Sequence, residues 1–580
     1  MRRIPPFAAT SSCSGDVSRD AGTRVRNRLL AFPILLVLLV SSACGSDGER
    51  TAYRDDTVTI LSLADISKPM PFLSETVLDG GVVGQMYMSI LGAVWEDGRL
   101  HARTADQDAL VLAKSYELFG PDSTSLRYHL RGDVRWSDGV PLTAHDAVWT
   151  LETRADPRVA SPRRNFSQFI EQVVAEDDST LVVHFSRRYP EMLAHSAVAV
   201  APRHVFEGSD PADLRSHPTL TRPEGGNLVV SGPYTIGEWR RGQRVTLIPN
   251  PEFQPQPNIP RVVFQIIPEE TTRLIEFQTG NADVLDLPFD KVDLVREGVP
   301  DMRVEVRRGR FYDYIAYNPL AHPALADPQV RRALGLAIDR EGMIRALSME
   351  GFAEPAGGPF SPIQTLHYDP VAQTPLPFGP DEAARILDER GWLPGPDGIR
   401  VKDETPLRLV LSTNAGNQRR ADIGQIVQQQ WRRIGVDAQL QTRESNTFFD
   451  ALSRKDFEAA IAGWSIGLFV DMTSLWKLDS PFNFTSFDDP EVNRIMAEAM
   501  AQPTEEAAAP YWREAAARIV EEQPYSWLFY MDSLVGVRDR VQETLIDTLG
   551  ELQNLHEWRI VPTGEGSEHA GASGEVQGGG

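Results

Sequence analysis

Between Ser115 and Leu130 polar and apolar residues trade places at every second position. Ser115, Glu117, Ser125, Arg127 and His129 alternate with Tyr116, Leu118, Leu126, Tyr128 and Leu130. This period of two predicts two half-buried strands that meet at the turn Gly120-Pro121-Asp122, a β-hairpin with one dry face. A second turn, Ser137-Asp138-Gly139, follows the large apolar Trp136. Beyond it Pro141, Thr143 and Asp146 signal the start of a helix that carries Ala147, Val148 and Leu151. Upstream, Thr57 to Leu63 alternates and is β-branched, as a first strand should be. The loop Ala64 to Met70 lies beyond that strand's carboxyl end, where ligand sites gather in α/β proteins, and this makes Asp65 a candidate. Val173 to Phe185 reads as a second hairpin with an Asp-Asp turn, closed off by Val198 to Pro202. Asn227 to Asn250 reads as strand, Gly-Pro turn and strand, with Trp239 and Gly242 in a hairpin. Arg261 to Ile267 is a further strand, and Glu269 to Gly280 an amphipathic helix with Leu274, Ile275 and Phe277 on its dry side.

From Tyr312 the pattern changes to helices alternating with strands. Asp327 suits an N-cap and Pro328 the first helical position, with Val330, Leu334, Ala337 and Ile338 at helical spacing. Leu407 to Ser412, a helix from about Gln418 to Ile434 ending at Gly435, and Val436 to Thr442 form a βαβ unit, which implies parallel strands. Ala459 to Trp464 adds a strand. Asp489-Pro490-Glu491 opens one helix, Pro510 to Glu521 makes another, and Ser526 to Met531 returns as an extended apolar segment. No internal repeat is visible.

The central run Leu130-Arg131-Gly132-Asp133-Val134-Arg135-Trp136-Ser137-Asp138-Gly139, with its flanks, resembles the signature of the family 5 extracellular solute-binding proteins, the receptors of peptide-type ABC importers. Matches in the same order follow: Ser231-Gly232-Pro233-Tyr234, Gly242-Gln243 and Asn250-Pro251; then Tyr317-Asn318, Asp327 to Ala333 and Ala337 to Arg340; then Trp431 to Gly435. The similarity covers about residues 56 to 545. It implies an α/β, two-lobed, type II periplasmic-binding-protein-like fold with an extra hairpin-rich subdomain. Lobe I is expected at 56–312 plus 527–562, with 79–202 inserted, and lobe II at 313–526. Two crossing strands, near Tyr314 and near Trp527, would form the hinge around a trapped ligand. The resemblance further implies a monomeric, non-catalytic receptor without cofactor that hands its solute to ABC permease subunits.

A chain of 580 residues is too long for one core. Its 58 basic and 81 acidic residues, net −23, argue against nucleic acid as a partner, since phosphate binding needs concentrated Lys and Arg. The two cysteines, Cys13 and Cys44, both precede the folded part, which leaves it without disulfides or thiolate metal sites. Arg24, Arg26 and Arg28 precede the apolar run Leu29 to Val40, which has the length of a signal-peptide core and is too short to span a membrane. Ser41-Ser42-Ala43-Cys44 then resembles a lipobox, so residues 1–44 are expected to direct export, with Cys44 as the lipid attachment site at the cytoplasmic membrane's outer face. Ser41 departs from the Leu of that pattern, and ordinary signal-peptidase cleavage is the alternative. Residues 45–55 would be a polar tether and 563–580 a disordered tail.

The sharpest enzyme signal is Gly463-Trp464-Ser465-Ile466-Gly467, which fits a Gly-x-Ser-x-Gly nucleophile elbow, with Asp471 or Asp532 and His556 downstream in hydrolase order. An elbow needs a helix directly after the Ser, and Leu468-Phe469-Val470-Asp471 lacks a cap and a polar face. The eleven His show no zinc spacing, and His145, His184 and His195 read as hairpin or surface residues. In peptide-binding relatives the matching Gly-Trp segment lines the cleft, and an Asp three residues after the Trp pairs with the ligand's α-ammonium. Here Gly467 stands there. A carboxylate-clamping Arg of dipeptide binders falls at Ser412 or a neighbour, beside Asn414. An unpaired buried ammonium costs several kcal/mol, so the resemblance implies that Asp471 substitutes or that the ligand lacks that terminus. Trp464, Ser465, Gly463, Asp471, Asn414, Asp65 and Tyr314 are therefore the candidate ligand-binding residues, for a peptide or peptide-like solute. A nickel chelate, sugar or opine on the same scaffold is the alternative.

Overall fold

Two long strands, Met302–Tyr317 and Tyr525–Arg538, pair antiparallel through the middle of an eleven-stranded sheet. The second is buried along almost its whole length and on both faces, which explains its near-continuous apolar run. The computed structural model describes residues 56–74, 77–465, 470–478, 480 and 482–561. The export segment with Cys44, the positions Ile466 to Phe469 and the carboxy-terminal tail lie outside the described residues. None of the described helices is long and apolar enough to cross a membrane.

The ladder of the two long strands shifts register between Arg307 and Phe311. Gly309 sits in this bulge at φ 46°, a left-handed conformation that suits a residue without Cβ. Asp532 pins the bulge by accepting hydrogen bonds from the Gly309 N–H (2.6 Å) and from Arg308 Nη1 (2.9 Å). On the Met302 side the sheet continues through Val284–Leu287, Thr57–Ser62, Arg261–Ile266, Arg244–Pro249 and Tyr234–Arg240. On the Tyr317 side it continues through Ala459–Ser465, Arg408–Asn414 and Asp437–Arg443. Arg408–Asn414 runs parallel to Asp437–Arg443, joined by the helix Gln418–Arg433. Asn417 caps that helix by accepting from the Arg420 N–H, and Gly435 at φ 81° ends it.

The apolar cores follow the same division. One joins Val58, Val262 and Val535 with Tyr128, Trp136 and Leu181, so the inserted hairpins share the core of the first strands. Two others cover opposite faces of the Tyr317-side strands, one around Leu334, Leu411 and Trp431, the other around Tyr314, Trp476, Trp512 and Trp527. A separate four-stranded antiparallel sheet runs in the order Ala113–Phe119, Ser125–Leu130, Thr180–Phe185, Ile170–Asp177. The helix Ala144–Ala155 starts with a capping box between Thr143 and Asp146.

Local expectations fail at four places. Residues 227–231 form no strand, because the backbone of Val230 bonds to Ser137 instead. Ile275 is exposed on Glu270–Gln278, since only Leu274 and Phe277 fall on the face that meets the sheet. The helix expected from Pro510 begins five residues earlier, at Glu505, where the Thr504 side chain caps it; Pro510 sits inside and forfeits one backbone hydrogen bond. His195 is buried rather than superficial, stacked on Phe166 at 4.8 Å, and burial, helped by Arg154, pushes its pKa down to about 4.

Candidate functional site

The strand Thr57–Ser62 leads through a loop into the helix Val77–Met86, whose sequence carries Gly80, Gly81 and Gly84. Gly80 and Gly84 line a cavity of about 450 Å³, and a Cβ on either would meet no atom within 4 Å. The helix thus leaves space where side chains would otherwise fill it. The rest of the lining comes from Pro71 to Ser74, the hairpin Gly92–Glu96 and Arg99–Arg103, and residues 150–199 of the insertion; Val470 and Glu505 complete it from the other half of the sheet. The volume lies in the range of small-ligand sites. The same hairpin touches the other half directly: Thr365 Oγ1 donates to the Asp97 carbonyl (2.8 Å) and Arg99 pairs with Glu506. Gly98 permits this approach, since it sits at φ 77° and a Cβ there would lie 2.1 Å from Thr365 Oγ1.

Four charged side chains line the cavity. Arg154 is buried and donates to Ser167 Oγ (2.9 Å), the His195 carbonyl (2.8 Å) and the Phe166 carbonyl (3.4 Å), all neutral acceptors; burial brings its pKa down to about 10. Arg163 donates from Nη2 to Ser74 Oγ at 3.3 Å, and its Nε has no partner among the described residues. Glu191, 6 % exposed, has Oε2 without a partner among the described residues. Burial, reinforced by the charges of Asp471 and Glu505 and opposed by its own backbone N–H and Arg187, pushes the Glu191 carboxyl up to about 7. Glu505 is raised as well, by burial and by Glu506, while His367 Nε2 stands 3.8 Å from Glu505 Oε1.

None of the seven candidates from the sequence lines this cavity. The Asp65 carboxylate is occupied within its own half, accepting from Trp239 Nε1 (2.9 Å), the Gly242 N–H (2.7 Å) and the Ile66 N–H, so that it holds the loop to the hairpin Tyr234–Pro249. Tyr314 is fully buried and stacked on Tyr525 at 4.0 Å. Trp464 is half-buried between Tyr314 and Phe484, a wall of stacked rings. Gly463 makes room for a charge cluster: a Cβ there would lie 2.3 Å from Asp313 Oδ1 and 2.9 Å from the Tyr312 carbonyl oxygen. Asn414 serves the same cluster, accepting from Arg420 Nη1 at 3.0 Å. Ser465 is exposed at the end of its strand. Asp471 is also exposed and accepts from the Thr473 N–H (2.8 Å) and Oγ1 (2.5 Å), a turn that leads into Thr473–Trp476.

Glu191 and Glu505 are the carboxylates that line the cavity, and Asp471, outside the lining, raises the Glu191 carboxyl through its charge. The two glutamates, with Arg154 and Arg163, escape a sequence reading. Glu191 follows Arg187-Arg188-Tyr189-Pro190 and looks like a solvated charge, yet the fold buries it among neighbours of which Phe185, Tyr189 and Met192 belong to the core. Of the other hydrolase candidates, Asp532 is engaged by Arg308 and Gly309, and His556 packs against the Phe253 ring.

A mixed sheet crossed by two long strands, with a ligand-sized cavity lined from both of its halves, is the plan of a two-lobed binding protein. Residues 110–486 match the bacterial extracellular solute-binding proteins, family 5 (Middle), and the chain belongs to this family. It is 24% identical over 555 residues to the oligopeptide-binding protein AppA of Bacillus subtilis (strain 168), covering 92% of this chain and 99% of that one. Its fold is similar to the AppA structure in complex with a nonapeptide (TM-score 0.73, 21% identity, 87% of this chain and 99% of that one). It is equally similar to NikZ from Campylobacter jejuni in complex with Ni(L-His) (TM-score 0.74, 21% identity, again 87% and 99%).

Proposed function

We propose that this chain is the extracytoplasmic solute-binding component of an ABC importer, which captures a peptide or peptide-like solute between two lobes and delivers it to the permease. The observation that carries this reading is the cavity of about 450 Å³ lined by residues 71–199 from one half of the sheet and by Val470 and Glu505 from the other. Lobe I is 56–312 with 527–562, with the insertion at 79–202, lobe II is 313–526, and the strands Met302–Tyr317 and Tyr525–Arg538 are the hinge between them. Closure of the lobes would enclose the solute. Kinship with AppA favours a peptide; the likeness to a nickel–histidine receptor keeps a metal chelate as the second reading.

A peptide library at about 100 times its dissociation constant is expected to add about 2.7 kcal/mol to the unfolding free energy, read as a rise in melting temperature. Gly84→Leu tests the location. Leucine is a better helix former than glycine by roughly 0.5–1 kcal/mol, so the variant should fold as well as the wild type while filling the cavity and abolishing the ligand-induced rise. If chelates or sugars raise the melting point and no peptide does, the peptide reading fails; if Gly84→Leu keeps the full rise, the site lies elsewhere.

The receptor is read as non-catalytic and monomeric. In Ser465→Ala an elbow nucleophile would lose turnover by orders of magnitude, whereas the loss of a hydroxyl that only contacts ligand shifts affinity by only about 1 kcal/mol. Robust ester or peptide hydrolysis removed by that change would favour the enzyme. Anchoring by lipid on Cys44 rests on the Arg-rich start, the apolar run and the small residues before the cysteine. Mass spectrometry of the mature amino terminus is expected to find a diacylglyceryl adduct there, and an unmodified Cys44 would disprove it.

A further inference from the structure

We propose that Glu191 is the carboxylate that receives the ligand's ammonium group, an inference that rests on the cavity being the solute site. Three observations converge on this residue. Glu191 lines the cavity, is 6 % exposed, and keeps Oε2 without a hydrogen-bond partner among the described residues. A carboxylate oxygen buried without a partner is costly, and native proteins keep such groups where something else supplies the missing donor. Two carboxylates, Asp471 and Glu505, act on it from the opposite half of the sheet, and Arg187 opposes them. The two guanidiniums of the cavity are directed elsewhere, Arg154 to three neutral acceptors of the insertion and Arg163 to Ser74, with Asp79 as its nearby charge.

An occupant that donates hydrogen bonds and carries positive charge completes this arrangement. A metal ion is the less suitable occupant, because no group of three or more His, Cys, Asp or Glu side chains among the described residues is arranged to hold one. A primary ammonium, with three N–H donors on one charged atom, can satisfy Glu191 Oε2 while remaining within the field of Glu505 and Asp471. Glu191 and Glu505 line the cavity from opposite halves of the sheet, so a ligand ammonium between them would also draw the two halves together. This gives the chain an ammonium anchor on the insertion, in place of the position where Gly467 stands.

The test uses the mature chain at pH 8 and a mixed library of peptides three to five residues long, built from Ala, Leu, Phe and Ser so that the α-ammonium is the sole cation. The same library with acetylated amino termini is the comparison. Binding is measured by calorimetry and native mass spectrometry on the wild type and on Glu191→Gln, an isosteric change that keeps the packing. The expected result is that acetylation weakens binding to the wild type by at least tenfold, that Glu191→Gln weakens the free library by a similar factor, and that the variant no longer distinguishes the two. Equal binding of both libraries to the wild type, or a variant that still prefers the free library, overturns the assignment of Glu191 and leaves the peptide reading standing. If neither library binds the wild type, both fall together.

Discussion

Asp313→Ala is expected to destabilise the protein by about 3 kcal/mol at pH 7, measured as a lower urea midpoint with an unchanged slope. Asp313 is fully buried on the strand Met302–Tyr317, and its carboxylate accepts from Arg419 Nε at 2.9 Å and Arg420 Nε at 3.2 Å. Truncation leaves two guanidiniums without their counter-charge, and breaking a buried pair in this way costs about 3–5 kcal/mol. The lower end applies because Arg419 keeps access to solvent. The pH dependence has a definite sign. Burial alone would raise the Asp313 carboxyl, but the charges and hydrogen bonds of Arg419 and Arg420 outweigh it and hold it below 3.8. A depressed folded pKa gives stability that is complete above the unfolded value and disappears as the pH falls through the folded one. The deficit of the variant should therefore persist down to pH 4 and shrink only below it. A deficit that fades between pH 7 and 5 would show that another group is responsible.

For Glu191→Gln the sign is reversed. With no ligand present, the variant should be more stable than the wild type by roughly 3 kcal/mol at pH 8, and equal to it near pH 4.5. Burial first, then Asp471 and Glu505, raise the folded pKa from 4.5 to about 7, so the neutral acid is the form the fold prefers. Stability from such a group is present below the unfolded value and is lost as the pH rises through the folded one. Above pH 7 the wild type must hold an ionised carboxylate that is buried and under the charges of Asp471 and Glu505, and an amide has no such cost. Urea unfolding across pH 4.5 to 8 decides it. A variant that is less stable than the wild type at pH 8 would mean that Glu191 has a cationic partner in the resting protein. A binding group that lowers stability until its ligand arrives is a familiar exchange of stability for function.

Much of the fold was legible because local rules and tertiary outcome agree. The strand at Thr57, the two hairpins of the insertion, the helix capped at Asp327 and the βαβ unit around Gly435 all fall where periodicity and punctuation put them. The misjudged elements are those in which a distant partner overrode the local signal. Val230 carries strand-like residues, yet its backbone bonds to Ser137, nearly a hundred positions away. Pro510 usually opens a helix, but Thr504 offers a cap and the packing of Ala508, Ala509 and Trp512 outweighs one lost hydrogen bond.

The site was much less legible. The neighbourhood of Gly463 and Trp464 was recognisable, but the structural roles that several of the candidates carry were not. Gly463 gives space to Asp313, Asn414 holds Arg420, and Asp65 ties down Trp239. A side chain's hydrogen-bonding capacity is finite, and once three internal donors occupy a carboxylate it has little left for a solute.

The sequence by itself determined the order of strands and helices, the family and the class of receptor, because those rest on short-range periodicity and on motifs that hold their spacing. Which charged residues face the cavity was decided by tertiary structure alone. Glu191, Arg154, Arg163 and Glu505 are separated by up to about 350 positions and lie in segments that read as ordinary polar surface. They meet only because the insertion folds against the helix Val77–Met86 and the other half of the sheet closes over it. Burial then changes what they are: a carboxylate that would be ionised and solvated in an isolated peptide becomes one that titrates near neutrality and is left with an oxygen to fill.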